Sequence, residues 1–147
     1  MGGIMNVLRF IHLQKHHISL IHPWWDDAET RWLEEPTPEY VDYVAAEEGE
    51  HHFVVFDGSE PVALAGYGIE EDGAHLAITV RPGWRRKGYG SRILRELILQ
   101  ARAGGVGELA ARVFPENDSS AALFLSIGFK KTGITADGTV EYRLSPD

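Results

Sequence analysis

A chain of 147 residues with a formal charge of −8, 44% hydrophobic and 24% charged, has the make-up of a globular domain able to bury its own core. It contains no cysteine, which excludes disulfides, cysteine-ligated zinc and a cysteine acyl-enzyme. The acidic balance, with an isoelectric point near 5.3, argues against nucleic acid as a partner and for cationic ones.

No apolar run reaches the length of about eighteen residues that a membrane span needs, and Met1–Leu13 shows no small-residue cleavage site. We therefore expect one cytoplasmic domain over 1–147, with 1–15 as an N-terminal extension or an extra strand.

In chain order, Val7–Leu13 reads as a strand or an extension, and His17–His22 as a better first strand, stopped by Pro23. Trp24-Trp25-Asp26-Asp27 opens a helix to about Glu35, with acids in the first turn where the helix dipole favours them. Pro36-Thr37-Pro38 breaks it from a second helix, Glu39–Glu48, capped by Thr37 and with Tyr40, Val41, Tyr43 and Val44 on its apolar side. His52–Phe56, the turn Asp57-Gly58, Pro61–Ile69, the turn Glu71-Asp72-Gly73 and Ala74–Val80 form an antiparallel meander. A helix over Gly88–Ala103 ends at Gly104-Gly105. A strand Leu109–Phe114, a helix Asn117–Ile127 and a final pair, Phe129–Thr132 with Thr139–Leu144, complete the chain.

The stretch from Ile78 to Leu97 carries the chemistry. Pro82 cannot donate to a central ladder, so the strand stops there. Gly88 and Gly90 let the backbone turn and leave no side chain between the loop amides and a ligand. The helix that follows buries a stripe of Ile93, Leu94, Leu97, Ile98 and Ala101. Amides opening onto a helix N-terminus, with Arg85, Arg86 and Lys87 in the same turn, suit an anion, and we read a pyrophosphate cradle. It is not a P-loop, because Tyr89-Gly90 follows Gly88 where Lys-Ser/Thr is required. It is not a dinucleotide fingerprint, because Ile93 stands where the third glycine belongs. The plainer alternative is a surface turn with a solvated basic run.

Val80-x-Pro82, then Arg85-x-x-Gly88-x-Gly90 opening a helix, resembles the acetyl-CoA-binding motif of the GNAT superfamily of acyltransferases, V-x-P-x-x-R/Q-x-x-G-x-G/A. Asn117 followed by Ala122-Leu123-Phe124-Leu125-Ser126-Ile127-Gly128-Phe129 is similar to that family's N…A-x-x-L-Y-x-x-x-G-F stretch, with Ser120 at the family's alanine. The resemblance implies an α/β fold of the α+β type: a mixed, mostly antiparallel sheet of about six to seven strands flanked by about four helices.

It implies an N-acetyltransferase that moves an acetyl group from acetyl-CoA directly to a primary amine of a small molecule or peptide, without a metal. The alternatives are an acyl-CoA-binding sensor with little turnover and an acetyltransferase of protein N-termini. Homodimers are common in the family.

Carried over residue by residue, the backbone of Ile78, Thr79 and Val80 meets the pantetheine in a gap between Ala74–Val80 and Leu109–Phe114. Amides from Arg86 to Ser91, including Lys87, Gly88, Tyr89 and Gly90, take the pyrophosphate, with Arg85 at the R/Q position. Asn117 meets the cofactor arm, or simply caps its helix. The family's tyrosine that protonates the departing thiolate is Phe124 here, which has no proton to give.

For a base, His75 lies on the motif strand, with Glu70 and Glu71 at the end of the preceding one and Asp72 in the turn. Trp24, Trp25, Asp26 and Asp27, with Trp32, Glu34, Glu35, Tyr40 and Tyr43, make the expected acceptor wall, since rings beside carboxylates suit a cation. Core packing is the competing reading for the tryptophans. His12, His16, His17, His51 and His52 do not complete a metal motif, and no metal is expected.

Overall fold

The computed structural model describes residues 7–27, 30, 33, 35–71 and 73–146. One seven-stranded sheet runs through the molecule in the order β1-β2-β3-β4-β5-β7-β6. Its strands are β1 Leu8–His12, β2 Glu50–Asp57, β3 Glu60–Glu70, β4 Gly73–Val80, β5 Glu108–Val113, β6 Lys130–Ile134 and β7 Val140–Leu144. Every neighbouring pair is antiparallel except β4 and β5, which are parallel and joined through helix α3, Tyr89–Ala103. The remaining helices are α1 Ile18–Ile21, α2 Pro38–Ala46 and α4 Asp118–Ile127.

Strand alternation divides the core between the two faces of the sheet. Phe53, Val55, Ala63, Ala65, Ala74 and Leu76 meet α3 and α4 on one face. Val54 meets Leu13, Ile21, Trp24 and Val41 on the other, under α1 and α2. The α3 stripe is buried as its period requires: Ile93, Leu94 and Leu97 are fully buried and Ile98 nearly so. Removing those four side chains from water contributes roughly 6–12 kcal/mol, an upper bound from area bookkeeping. Gly90, in the first turn of α3, packs close to α4, where an added Cβ would stand 2.9 Å from Leu123 Cδ2.

Two expected elements differ. The segment His17–His22 is helical, not a strand: a 3-10 turn over Lys15–His17 leads directly into α1. Its buried positions, His17, Ile21 and Trp24, recur at helical spacing and point into the second core. His17 closes the turn by accepting from the Gln14 N–H at Nδ1, 3.0 Å. Burial, reinforced by the neighbouring His16, pushes the pKa of its imidazole down. The first strand is Leu8–His12, where Phe10 meets the edge of Phe53 with ring centroids 5.8 Å apart.

The helix expected from Trp24 to Glu35 is a 3-10 helix, His22–Asp26, and Asp27 is already extended. The Trp25 indole N–H donates to the Leu33 carbonyl at 2.8 Å, tying Leu33 to that turn. Trp32 and Glu34 lie outside the described residues. Helix α2 starts as expected, with Pro38 in its first turn and the Thr37 hydroxyl accepting from the Tyr40 N–H at 3.1 Å. Only Val41 and Val44 of its apolar side are buried, while Tyr40 and Tyr43 are exposed.

Candidate active site

The site begins where two strands part. β4 pairs with β5 only at Gly73–Glu108, Ala74–Leu109 and His75–Ala110. Beyond that point β4 stays registered to β3 as far as Val80, and β5 stays registered to β7 as far as Val113. The edge of β4 from Leu76 to Val80 therefore faces a wedge instead of a strand. Exposed edge N–H and C=O groups form a template for an extended ligand.

Two adjoining cavities occupy the wedge and its mouths. The larger, about 540 Å³, runs from Ile78, Thr79 and Val80 to the turn before α3. The smaller, about 300 Å³, opens on the α2 side and shares Ile78, Thr79, Asn117 and Ser120 with the first.

At the far end of the larger cavity the turn has the geometry of an anion cradle. Gly88 is left-handed at φ +87° and caps α3, and Arg86 is the one non-glycine residue with positive φ among those described. The first intrahelical bond starts at the Arg92 N–H, which donates to the Gly88 carbonyl at 3.2 Å. The N–H groups of Tyr89, Gly90 and Ser91 precede it and have no acceptor within the helix, by the geometry of any helix start. An added Cβ at Gly88, which lines the cavity, would meet nothing within 4 Å. Arg85, Arg86, Gly88, Gly90 and Ser91 line this end. The donor set and the room fit a pyrophosphate.

Lys87 and Tyr89 were expected here and line neither cavity. Lys87 is exposed. The Tyr89 hydroxyl turns away to donate to Asp57 at 2.5 Å, and that bond, with burial, raises the pKa of the phenol. Only its backbone amide remains available to the cradle. Arg85 reaches back across the molecule, donating to Asp27 Oδ2 at 3.3 Å and to the fully buried Thr30 hydroxyl at 2.9 Å. Asp27 and Thr30 are thereby tied to the basic turn.

Asn117 occupies the junction of the two cavities, and its Oδ1 caps α4 by accepting from the Ser120 N–H at 3.2 Å. Phe124 lines the smaller cavity, 3% exposed, with its ring edge-on to Phe129 at 5.1 Å. No hydroxyl stands at that position.

The expected base candidates do not reach the cavities. His75 is the last paired residue before the strands part, and its Nδ1 meets Glu70 Oε1 at 2.8 Å on an open part of the sheet. Glu70 is further occupied by Arg112, 3.5 Å away. Glu71 is exposed in the turn, and Asp72 lies outside the described residues. None of His75, Glu70 and Glu71 lines either cavity.

The residues expected to form the acceptor wall do not stay together. Trp24 is 5% exposed and belongs to the second core, because the helical period of 17, 21 and 24 turns it inward. Trp25 is half-buried with its N–H committed to Leu33, and Asp27 faces Arg85. Glu35 and Tyr40 of the expected wall do line the smaller cavity, together with Thr37, His52, Gly66 and Arg112, among others. His52 lines this cavity and was not among the expected site residues. The signal for it is Gly66 and Gly68, two glycines at strand spacing, which becomes meaningful only once their cross-strand partners are known.

The remaining histidines are dispersed. His22 Nδ1 meets Glu35 Oε2 at 2.5 Å, a bond that raises the pKa of the imidazole. The His16 and His17 rings lie tilted against one another in the 3-10 turn, with centroids 4.2 Å apart. Among the described residues no three histidine or carboxylate groups converge as a metal site.

Comparison with known proteins places this geometry. The model of the acetyltransferase (GNAT) family matches residues 18–129. The uncharacterized N-acetyltransferase YfmK of Bacillus subtilis (strain 168) is 26% identical over 124 residues, covering 82% of this chain and 84% of its own. The N-alpha-acetyltransferase RimI of Mycobacterium tuberculosis (strain ATCC 25618 / H37Rv) is 44% identical over 57 residues, 39% of this chain and 34% of its own. The crystal structure of an acetyltransferase from Thermus thermophilus superposes with a TM-score of 0.80 at 22% identity, covering 96% of this chain and 98% of that one. With the family model spanning most of its length, a sheet parted beside an amide-lined turn, and that fold in common, the chain belongs to the GNAT family of acetyltransferases.

Proposed function

We propose that this acetyltransferase acts as one domain over 1–147 and moves the acetyl group of acetyl-CoA directly to a primary amine of a small molecule or peptide. The observation that carries the reading is the loss of β4–β5 pairing after His75 and Ala110, beside a helix start that faces the same cavity. The N–H groups of Tyr89, Gly90 and Ser91, with Arg86, hold the pyrophosphate. The free edge of Ile78, Thr79 and Val80 aligns the pantetheine as an added strand, and Asn117 meets its arm. The amine enters through the smaller cavity, past Glu35 and Tyr40. Phe124 packs at the thioester, where it excludes water but gives no proton.

Two experiments test this. CoA or acetyl-CoA should raise the melting temperature, because a ligand that binds only the folded state stabilises it. Thiol release with polyamines, aminoglycosides and peptides should then find an acceptor. No thermal shift would remove the acetyl-CoA reading for this site.

Phe124 favours a second reading, an acyl-CoA sensor, which predicts a thermal shift with no thiol release. The local match to RimI favours peptide N-termini within the panel.

A further inference from the structure

We propose that His52, held by Glu50, is the base that takes the proton from the incoming amine; this rests on the amine-acetylation reading above. The argument starts from register. On the α2 face of the sheet, Glu50 is paired with Gly68, His52 with Gly66, and Gly66 in turn with Ala77 of β4. A Cβ at Gly66 would lie 2.7 Å from His52 Nδ1, and one at Gly68 would overlap the Glu50 carboxylate. The two glycines are what allow this pair of side chains to lie flat across the neighbouring strand.

His52 Nε2 meets Glu50 Oε1 at 2.8 Å, with side chains only 13% and 22% exposed. A carboxylate can only accept, so Nε2 carries the hydrogen, and in the neutral imidazole that leaves the lone pair on Nδ1. Nδ1 is the nitrogen that faces Gly66. Beyond it, in the same row, lies Ala77, so nothing larger than a methyl separates the ring from β4. Two strand spacings, about 10 Å between backbones, are a distance that an imidazole plus an amine or one bridging water can span. His52 lines the same cavity as Ile78, Thr79, Asn117 and Phe124. The comparable pair His75–Glu70 lies outside the cavity, with side chains 41% and 40% exposed.

Other charged and titratable groups bear on His52. From α2, the Tyr40 ring stands edge-on at 5.7 Å. Across the smaller cavity are Glu35 and Arg112. On its outer side a solvent-open groove carries His12, His16 and Glu47, with Lys15 paired to Asp42 at 3.1 Å. That groove gives the proton a way out.

In the step itself, Nδ1 takes one proton from the ammonium, directly or through one water, freeing the nitrogen lone pair. The C–N bond to the acetyl carbonyl carbon forms, and the C–S bond breaks with its electron pair on sulfur. The second N–H proton ends on the thiolate, and the proton held by His52 leaves to solvent.

The test compares the native chain with His52→Gln and Glu50→Gln. His52→Gln should keep its CoA-induced thermal shift and lose about 10²–10⁴-fold in kcat with a strongly basic alkylamine. With hydroxylamine, already unprotonated at neutral pH, the loss should be much smaller, which a structural role for His52 would not produce. The acidic limb of the native pH–rate profile should vanish in His52→Gln. Glu50→Gln should show a weaker form of the same amine dependence. An equal deficit with both acceptors, or no deficit in His52→Gln beside one in His75→Gln, overturns the proposal alone. A native chain that binds CoA but acetylates no amine overturns the underlying reading as well.

Discussion

Replacing Gly88 by alanine and by glutamate separates backbone strain from charge at the anion cradle. Gly88 sits at φ +87° with nothing within 4 Å of an added Cβ. Either side chain therefore costs the left-handed strain alone, about 1–2 kcal/mol, and should lower the ligand-free melting temperature by roughly 3–8 °C. Only glutamate adds a charge. At about 5 Å from each of two phosphate charges, 332/(εr) gives about 2–7 kcal/mol of repulsion as ε falls from about 80 to 20. That is at least tenfold in affinity, by the ~1.4 kcal/mol per decade of binding.

In a thermal-shift assay with CoA at about a hundred times the native Kd, the native chain gains about 2.7 kcal/mol, or roughly 8–11 °C. A variant binding about a hundredfold more weakly gains only ~0.4 kcal/mol, about 1 °C. Gly88→Ala should keep most of the shift and Gly88→Glu almost none, with the gap narrowing as salt approaches about 1 M. Gly90→Glu should also lose the shift, with added strain against Leu123. Equal CoA-induced shifts for Gly88→Ala and Gly88→Glu at low salt would show that the turn does not face phosphate.

Phe124→Tyr should keep the fold, because the ring lines a cavity able to take a hydroxyl, and should keep or raise thiol release; a large fall would show that the ring's packing outweighs a proton donor. Thr30→Val removes the buried acceptor of an Arg85 N–H and should cost about 1–2 kcal/mol, seen as a melting temperature lower by roughly 3–8 °C; an unchanged value would mean that the bond contributes nothing. Asp137 is held down to about 2, first by the Thr135 hydroxyl and then by the Thr139 hydroxyl and N–H. A depressed carboxylate stabilises above its unfolded value, near 3.8, and loses that contribution as pH falls through about 2. Urea midpoints of the native chain and Asp137→Asn should therefore differ steadily above pH ~4 and converge towards pH ~2; a constant difference across that range would show that Asp137 is not the titrating group.

The α3 stripe, the Pro82 stop, the glycine turn, the Asn117 cap and the β2–β3–β4 meander were legible because each depends on neighbours in sequence. Helical period, a missing N–H, positive φ and a capping oxygen act within a few residues. The same local logic failed at His17–His22, where a short apolar segment fits either period. The choice was made by which residues could reach Leu13, Val41 and Val54 across the second core.

Along the chain, His75 beside Glu70 and the Trp24-Trp25-Asp26-Asp27 run were the conspicuous candidates. The fold buried Trp24, gave Asp27 to Arg85 and left His75 below the point where the strands part. It put His52 at the cavity, with Glu50 beside it, through register with Gly66 and Gly68, glycines that in sequence look like weak points of a strand. The local chain thus determined its anion turn and the elements around it. The tertiary structure alone decided which side chains line the cavity beside the parted strands, because strand register and the exit of a buried face join residues that no short-range rule connects.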